Sequence, residues 1–102
     1  IGHHLGIIDC LEAALTCPWE AYLAWIATLE EGGEARRKME GVPKYGEIVI
    51  DSNHVQMLAH AFDRALVVQT PEQQAWSKQM LSMLHDIHQE SAIYLMVRRH
   101  RD

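Results

Sequence analysis

The tetrad Thr70-Pro71-Glu72-Gln73 restricts the fold of this chain more than any other local feature. Threonine accepts an amide proton at a helix start, and proline suits the first helical position. Glutamine three residues after the cap closes the reciprocal capping pair. A helix is therefore predicted to begin at Pro71, and whatever precedes it must end there. Downstream, Trp76, Met80, Met83, Leu84, Ile87, Ser91, Tyr94 and Leu95 recur at helical spacing. They predict one long helix reaching about His100, ~45 Å at 1.5 Å per residue. Upstream, Val55, Leu58, Ala59, Phe62, Ala65 and Leu66 form a second inner stripe. It opens at three successive capping residues, Asp51-Ser52-Asn53, and runs to about Gln69.

Two further helices are predicted nearer the start. Ile7, Ile8, Leu11, Ala14 and Leu15 fit one helical face, with Asp9 and Glu12 spaced as a capping box. Pro18 ends that helix near Thr16 and starts the next, which runs to about Glu31 before Gly32-Gly33. In this second helix Trp19, Tyr22, Leu23, Ile26 and Ala27 form a stripe, while Ala21, Trp25 and Leu29 lie well away from it. A helix apolar on nearly every side is either central in a large core or covered by another chain.

Residues 34–53 are the least regular. Glu34 to Glu40 suit a short charged helix, and Gly41-Val42-Pro43 and Tyr45-Gly46 mark turns. Glu47-Ile48-Val49-Ile50 has strand propensity, yet no second strand suggests itself. The run is expected either as extended loop packed on helices or as a strand paired with the same run of a second subunit. The expected fold is all-α: a small bundle of three to five helices with a long C-terminal helix and one irregular segment around 41–50. It forms a single domain over residues 1–102.

Composition narrows the function classes. With 102 residues, 48% of them apolar, the chain suits one globular domain and not a disordered segment. Two cysteines make no disulfide scaffold, and no apolar run approaches the ~20 residues needed to span a bilayer. Cys10 and Cys17 would stand two turns apart on one helix face, ~10 Å, beyond disulfide reach. Both are read as reduced thiols of a cytoplasmic protein. The sequence starts at Ile1 and not at Met, so its lack of a signal-peptide pattern carries little weight, and His3-His4 is read either as mobile or as an addition to the natural chain. The net charge of −5 disfavours nucleic acid. Glu30, Glu31, Glu34 and Glu40 flank Arg36-Arg37-Lys38, and Arg98, Arg99 and Arg101 are placed at a helix C-terminus, where cations are favoured.

No nucleophile elbow, phosphate loop or dinucleotide fingerprint is present. Glu30-Glu31-Glu34 has the clustering of a magnesium-binding helix but lacks a matching second helix, so it reads as a solvated charge run. Seven histidines raise a metal alternative. His85 and His88 are helical neighbours, and a bundle enzyme or sensor would need a third ligand such as His54 from another helix. Without that, no metal, no cofactor and no catalytic residue is expected.

Apolar side chains left over after the core is filled point instead to a protein partner. They concentrate at Tyr22–Leu29, Ile48–Ile50 and Ile93–Val97. The expected function is a non-enzymatic interaction module, a homodimer with contact residues Trp19, Tyr22, Trp25, Ile26, Leu29, Ile48, Ile50, Trp76, Ile93, Met96 and Val97. The stretch Cys17-Pro18-Trp19-Glu20-Ala21-Tyr22-Leu23-Ala24-Trp25, followed by the long helix from Pro71, resembles small quorum-sensing anti-activators that bind LuxR-type transcription regulators. That resemblance implies a dimer covering the regulator's dimerisation surface and blocking its binding to DNA.

Overall fold

Period-two burial in the last described segment reveals what the helical reading overlooked. Leu95 and Val97 are buried, Met96 is half-buried between them, and Arg98 is exposed. These residues belong to a strand. The computed structural model describes residues 4–9 and 14–101. In chain order they form β1 (His4–Asp9), β2 (Ala14–Pro18), α1 (Trp19–Ile26), α2 (Glu34–Met39), α3 (Gly41–Tyr45) and β3 (Glu47–Ile50). After these come α4 (Val55–Ala65), a 3-10 turn (Leu66–Val68), α5 (Pro71–Gln89) and β4 (Leu95–Arg101).

The four strands make one sheet in the order β2-β1-β4-β3, with every neighbouring pair antiparallel. The C-terminal strand thus lies between strands from the beginning and the middle of the chain. Ile8 pairs with both Leu15 and Val97, and Val97 pairs in turn with Ile48. On the inner face Leu15, Cys17, Ile48, Ile50, Leu95 and Val97 are buried against helices. On the outer face Thr16, Glu47, Val49 and Arg98 are exposed. One buried and one solvated face is the usual condition of an antiparallel sheet.

The expected all-α bundle is therefore corrected to an α+β fold. The segment read as a first helix over Ile7–Leu15 supplies β1 and β2. Its connection at residues 10–13 lies outside the described residues, as do Cys10, Glu12 and His3 of the earlier reading. The long helix does not reach His100. It ends at Gln89, where Glu90 turns to extended dihedrals (φ −135°, ψ 92°) and a turn over 91–92 leads into β4. Arg98, Arg99 and Arg101 accordingly stand in a strand, not at a helix terminus. The run 47–50 is neither loop nor intersubunit strand, because β4 of the same chain pairs with it.

The apolar second helix is also explained within the chain. Helix α1 has only eight residues and is packed from two sides. The sheet lies against one, and Phe62 of α4 and Trp76 of α5 place their rings 5.3 and 5.8 Å from that of Trp25 on the other. A two-layer fold can enclose a short helix that a small bundle could not. The three reasons for expecting a second copy thus disappear: the all-round apolar helix, the overlong helix and the unpaired strand. No helix among the described residues is long and apolar enough to cross a membrane.

Candidate functional site

Helix α4 buries Val55, Leu58, Phe62 and Ala65, but its flank keeps Met57 and Ala61 half-buried and His60 and Arg64 exposed. Against that flank runs the connection from α1 to α2, which breaks from the helix at Ala27 and turns through Gly32 (φ 80°). The two do not close on each other. Between them lies a groove of about 370 Å³ lined by Thr28, Glu30, His60, Ala61, Arg64, Ala65 and Val68. Through Glu30 and Ala61 it adjoins a narrower recess of about 130 Å³, which adds Gly33, Glu34, Ala35, Arg36 and Met57. The floor is small and apolar. Glu30 and Glu34 come from one wall, and His60 and Arg64 from the other. Arg36 is already engaged, with Nε 3.2 Å from Glu40 Oε2 and one Nη donating to the Ala27 carbonyl.

A buried polar chain braces one end of this groove. Trp25 Nε1 donates to Ser77 Oγ at 2.8 Å, and Ser77 donates to Gln69 Oε1 at 2.7 Å. Gln69 Nε2 donates to Thr28 Oγ1 at 2.9 Å, and Thr28 donates to the Trp25 carbonyl at 2.6 Å. The chain closes on Trp25, linking α1, the residue after the 3-10 turn and α5. Each member needs its partners, because a buried polar group without one costs about 1–3 kcal/mol. Gln74 Nε2 also donates to the Leu66 carbonyl at 2.8 Å. The 3-10 turn is therefore held at both Leu66 and Gln69. It nevertheless turns Val67 and Val68 outward, 87% and 67% exposed. Two valines turned into water, one of them lining the groove, gain nothing for the fold of this chain.

The expected contact residues fall elsewhere. Tyr22, Trp25, Ile26, Leu29, Ile48, Ile50 and Val97 are buried in the chain's own core, which removes them from any surface. Trp19, Trp76, Ile93 and Met96 remain half-buried. Trp19 stacks on Tyr22 at 5.5 Å, and the Arg99 guanidinium lies 4.6 Å from the Trp19 ring centre. Burial, with the Glu72 charge as a lesser cause, pushes the Cys17 thiol up to about 11. The Tyr22 hydroxyl, buried and donating to the Met39 carbonyl at 2.8 Å, is pushed well above the usual phenol range.

The metal alternative is corrected as well. His85 and His88 are exposed on α5, while His54 precedes α4 and its Nδ1 accepts from the Asp51 amide. The described residues contain no group of three or more His, Cys, Asp or Glu able to hold a metal ion. The groove itself escaped sequence reasoning, since its walls come from segments about thirty residues apart. The one available signal was Val67-Val68, two apolar residues off the inner stripe just before the Thr70 cap.

Comparison with known proteins redirects the functional reading. The family model for the formate hydrogenlyase maturation protein HycH matches residues 1–99. "Formate hydrogenlyase maturation protein HycH" of Escherichia coli K12 is 80% identical over 102 residues, covering all of this chain and 75% of that protein. "Hydrogenase-4 component J" of the same strain is 50% identical over 99 residues, covering 97% of this chain and 72% of that protein. No solved structure matches. The resemblance to a quorum-sensing anti-activator is overturned, and with it the LuxR-type partner. Apolar stretches such as 17–25 recur in unrelated folds, whereas identity along the whole chain does not arise by chance.

Proposed function

The chain belongs to the formate hydrogenlyase maturation protein HycH family, and from that premise we propose that it assists hydrogenase assembly by binding a hydrogenase component, not by catalysing a step. The observation that carries this reading is the exposed pair Val67 and Val68, of which Val68 lines the open groove, on a 3-10 turn held by the Gln69 and Gln74 hydrogen bonds. Apolar side chains held rigid in water are suited to a partner, because burying them there incurs little ordering cost. The free, buried Cys17 suits action in the reducing cytoplasm.

The test is complementation. The chain is expressed in E. coli K12 cells lacking the 80%-identical relative, and formate-dependent hydrogen evolution is measured. Restoration is expected, together with its loss in a Val67→Asp/Val68→Asp variant whose circular dichroism is unchanged. Failure of the unaltered, stably expressed chain to restore hydrogen evolution overturns the reading.

A further inference from the structure

The groove limits what can occupy it. A partner strand would need a sheet edge along one wall, and neither wall is a strand: the connection is a run of turns and α4 is a helix. In the connection, Thr28, Leu29 and Gly33 donate to the carbonyls of Trp25, Ile26 and Glu30. The opposite wall is α4, whose amides are bonded within the helix. Recognition by strand addition has no ladder to extend here, so the occupant docks through side chains.

The floor and walls then specify those side chains. Ala61 and Ala65 lie four residues apart on one face of α4, with Met57 one turn before Ala61, so a second helix axis can approach closely. Glu30 presents negative charge from the connection and Glu34 from the first turn of α2, whereas Arg64 and His60 present basic groups from α4. Neither Glu30 nor Arg64 has an ion-pair partner among the described residues. A complementary occupant is an apolar stripe with a basic flank on one side and an acidic flank on the other. Val68, exposed and lining the same groove, adds to the apolar contact, and exposed Val67 adjoins it in sequence.

We propose that the groove between α4 and the wall formed by the 27–33 connection with the first turn of α2 receives an amphipathic helix of a hydrogenase component. That helix sets its apolar stripe on Ala61, Ala65 and Val68, basic residues toward Glu30 and Glu34, and an acidic residue toward Arg64. This inference rests on the function proposed above and names the form of its partner.

The experiment titrates the chain by calorimetry against each formate hydrogenlyase protein component, purified separately, in low salt and in 0.5 M salt. It uses the unaltered chain and the variants Ala61→Trp, Glu30→Lys and Arg64→Glu. Glu47→Lys, on the outer face of the sheet, is the control. One component is expected to bind. Ala61→Trp should abolish binding by filling the floor. Each charge reversal should weaken it roughly threefold to tenfold in low salt and less in high salt, and Glu47→Lys should leave it unchanged. Hydrogen exchange of the bound component should protect one helical segment of the stated pattern. Both reversed side chains are exposed, so those variants fold even if Ala61→Trp does not. If no component binds the unaltered chain, the proposed function itself fails. If a component binds and neither charge reversal alters its affinity, the function stands and the groove is overturned. Protection of an extended segment overturns the helical occupant. Light scattering that shows a dimer broken by Arg64→Glu assigns the groove to a second copy, and likewise overturns the proposal.

Discussion

Trp25 Nε1 donates to Ser77 Oγ at 2.8 Å across 52 residues of sequence, and both side chains are fully buried. Because Ser77 passes its own proton to Gln69, one hydroxyl satisfies two buried groups. Ser77→Ala should therefore orphan the indole N–H and the Gln69 carbonyl together, destabilising the chain by about 2–3 kcal/mol in urea denaturation. A double-mutant cycle with Trp25→Phe should return a coupling of ~1 kcal/mol. Additive losses would mean that the bond contributes nothing to stability.

Gly41, at the start of α3, faces the opposite requirement. A Cβ placed there would sit 2.6 Å from Ile48 Cγ2, inside any real contact distance. Alanine gains about 1 kcal/mol in helix propensity, but overpacking a full core costs about 1–3 kcal/mol. Gly41→Ala should be net destabilising by ~1 kcal/mol. Combining it with Ile48→Leu, which moves the branch away from Cβ, should recover part of the loss. A more stable Gly41→Ala chain in the same melt would refute the close packing of α3 on β3.

Thr70 accepts from the Gln73 amide at 3.2 Å, and the Gln73 side chain accepts from the Thr70 amide at 3.0 Å. Thr70→Ala removes one bond of this box and should cost about 1 kcal/mol. Thr70→Asp should keep most of the stability, because it restores an acceptor and adds a charge favourable to the helix dipole. Thermal denaturation of the two variants side by side decides the matter.

Alkaline pH should unfold the chain through Cys17 and Tyr22. The Cys17 thiol is raised from 9.0 to about 11 when folded, so the unfolded chain loses that proton first. The corresponding stability is intact below pH 9 and is lost as pH climbs from 9 to 11. Tyr22, also raised, extends the decline above pH 10. Urea midpoints at pH 8, 9, 10 and 11 should fall progressively, and Cys17→Ala should flatten the step between 9 and 10 although it starts lower. Identical slopes for the two chains would contradict the burial of the thiol.

Several of these elements were legible beforehand. The Thr70 box, the buried stripe from Val55 to Ala65 and the short charged helix after Gly33 stand where local spacing places them, although α4 starts after His54 with no side-chain cap, not at Asp51-Ser52-Asn53, and gives way to a 3-10 turn at Leu66. Each is decided by contacts within one turn of backbone. Strand β4 was illegible because Ile93–Val97 reads equally as a buried helix end or a buried strand, and periodicity alone cannot separate the two. Its partners lie almost fifty residues away in β3 and about ninety away in β1. The groove is hidden for the same reason, as Glu30 and Arg64 meet only after folding.

By itself, then, the sequence determined where α5 begins and that the stripe from Val55 to Ala65 must leave water, since capping and hydrophobic spacing act along the chain. The tertiary structure alone decided that the two ends of the chain share a sheet, that the aromatic residues of α1 fill a core, and that Val67 and Val68 remain outside. Those outcomes depend on which distant surfaces find each other. Burial rewards area removed from water whatever its source, so an apolar residue in sequence states that it will be covered, and not by what.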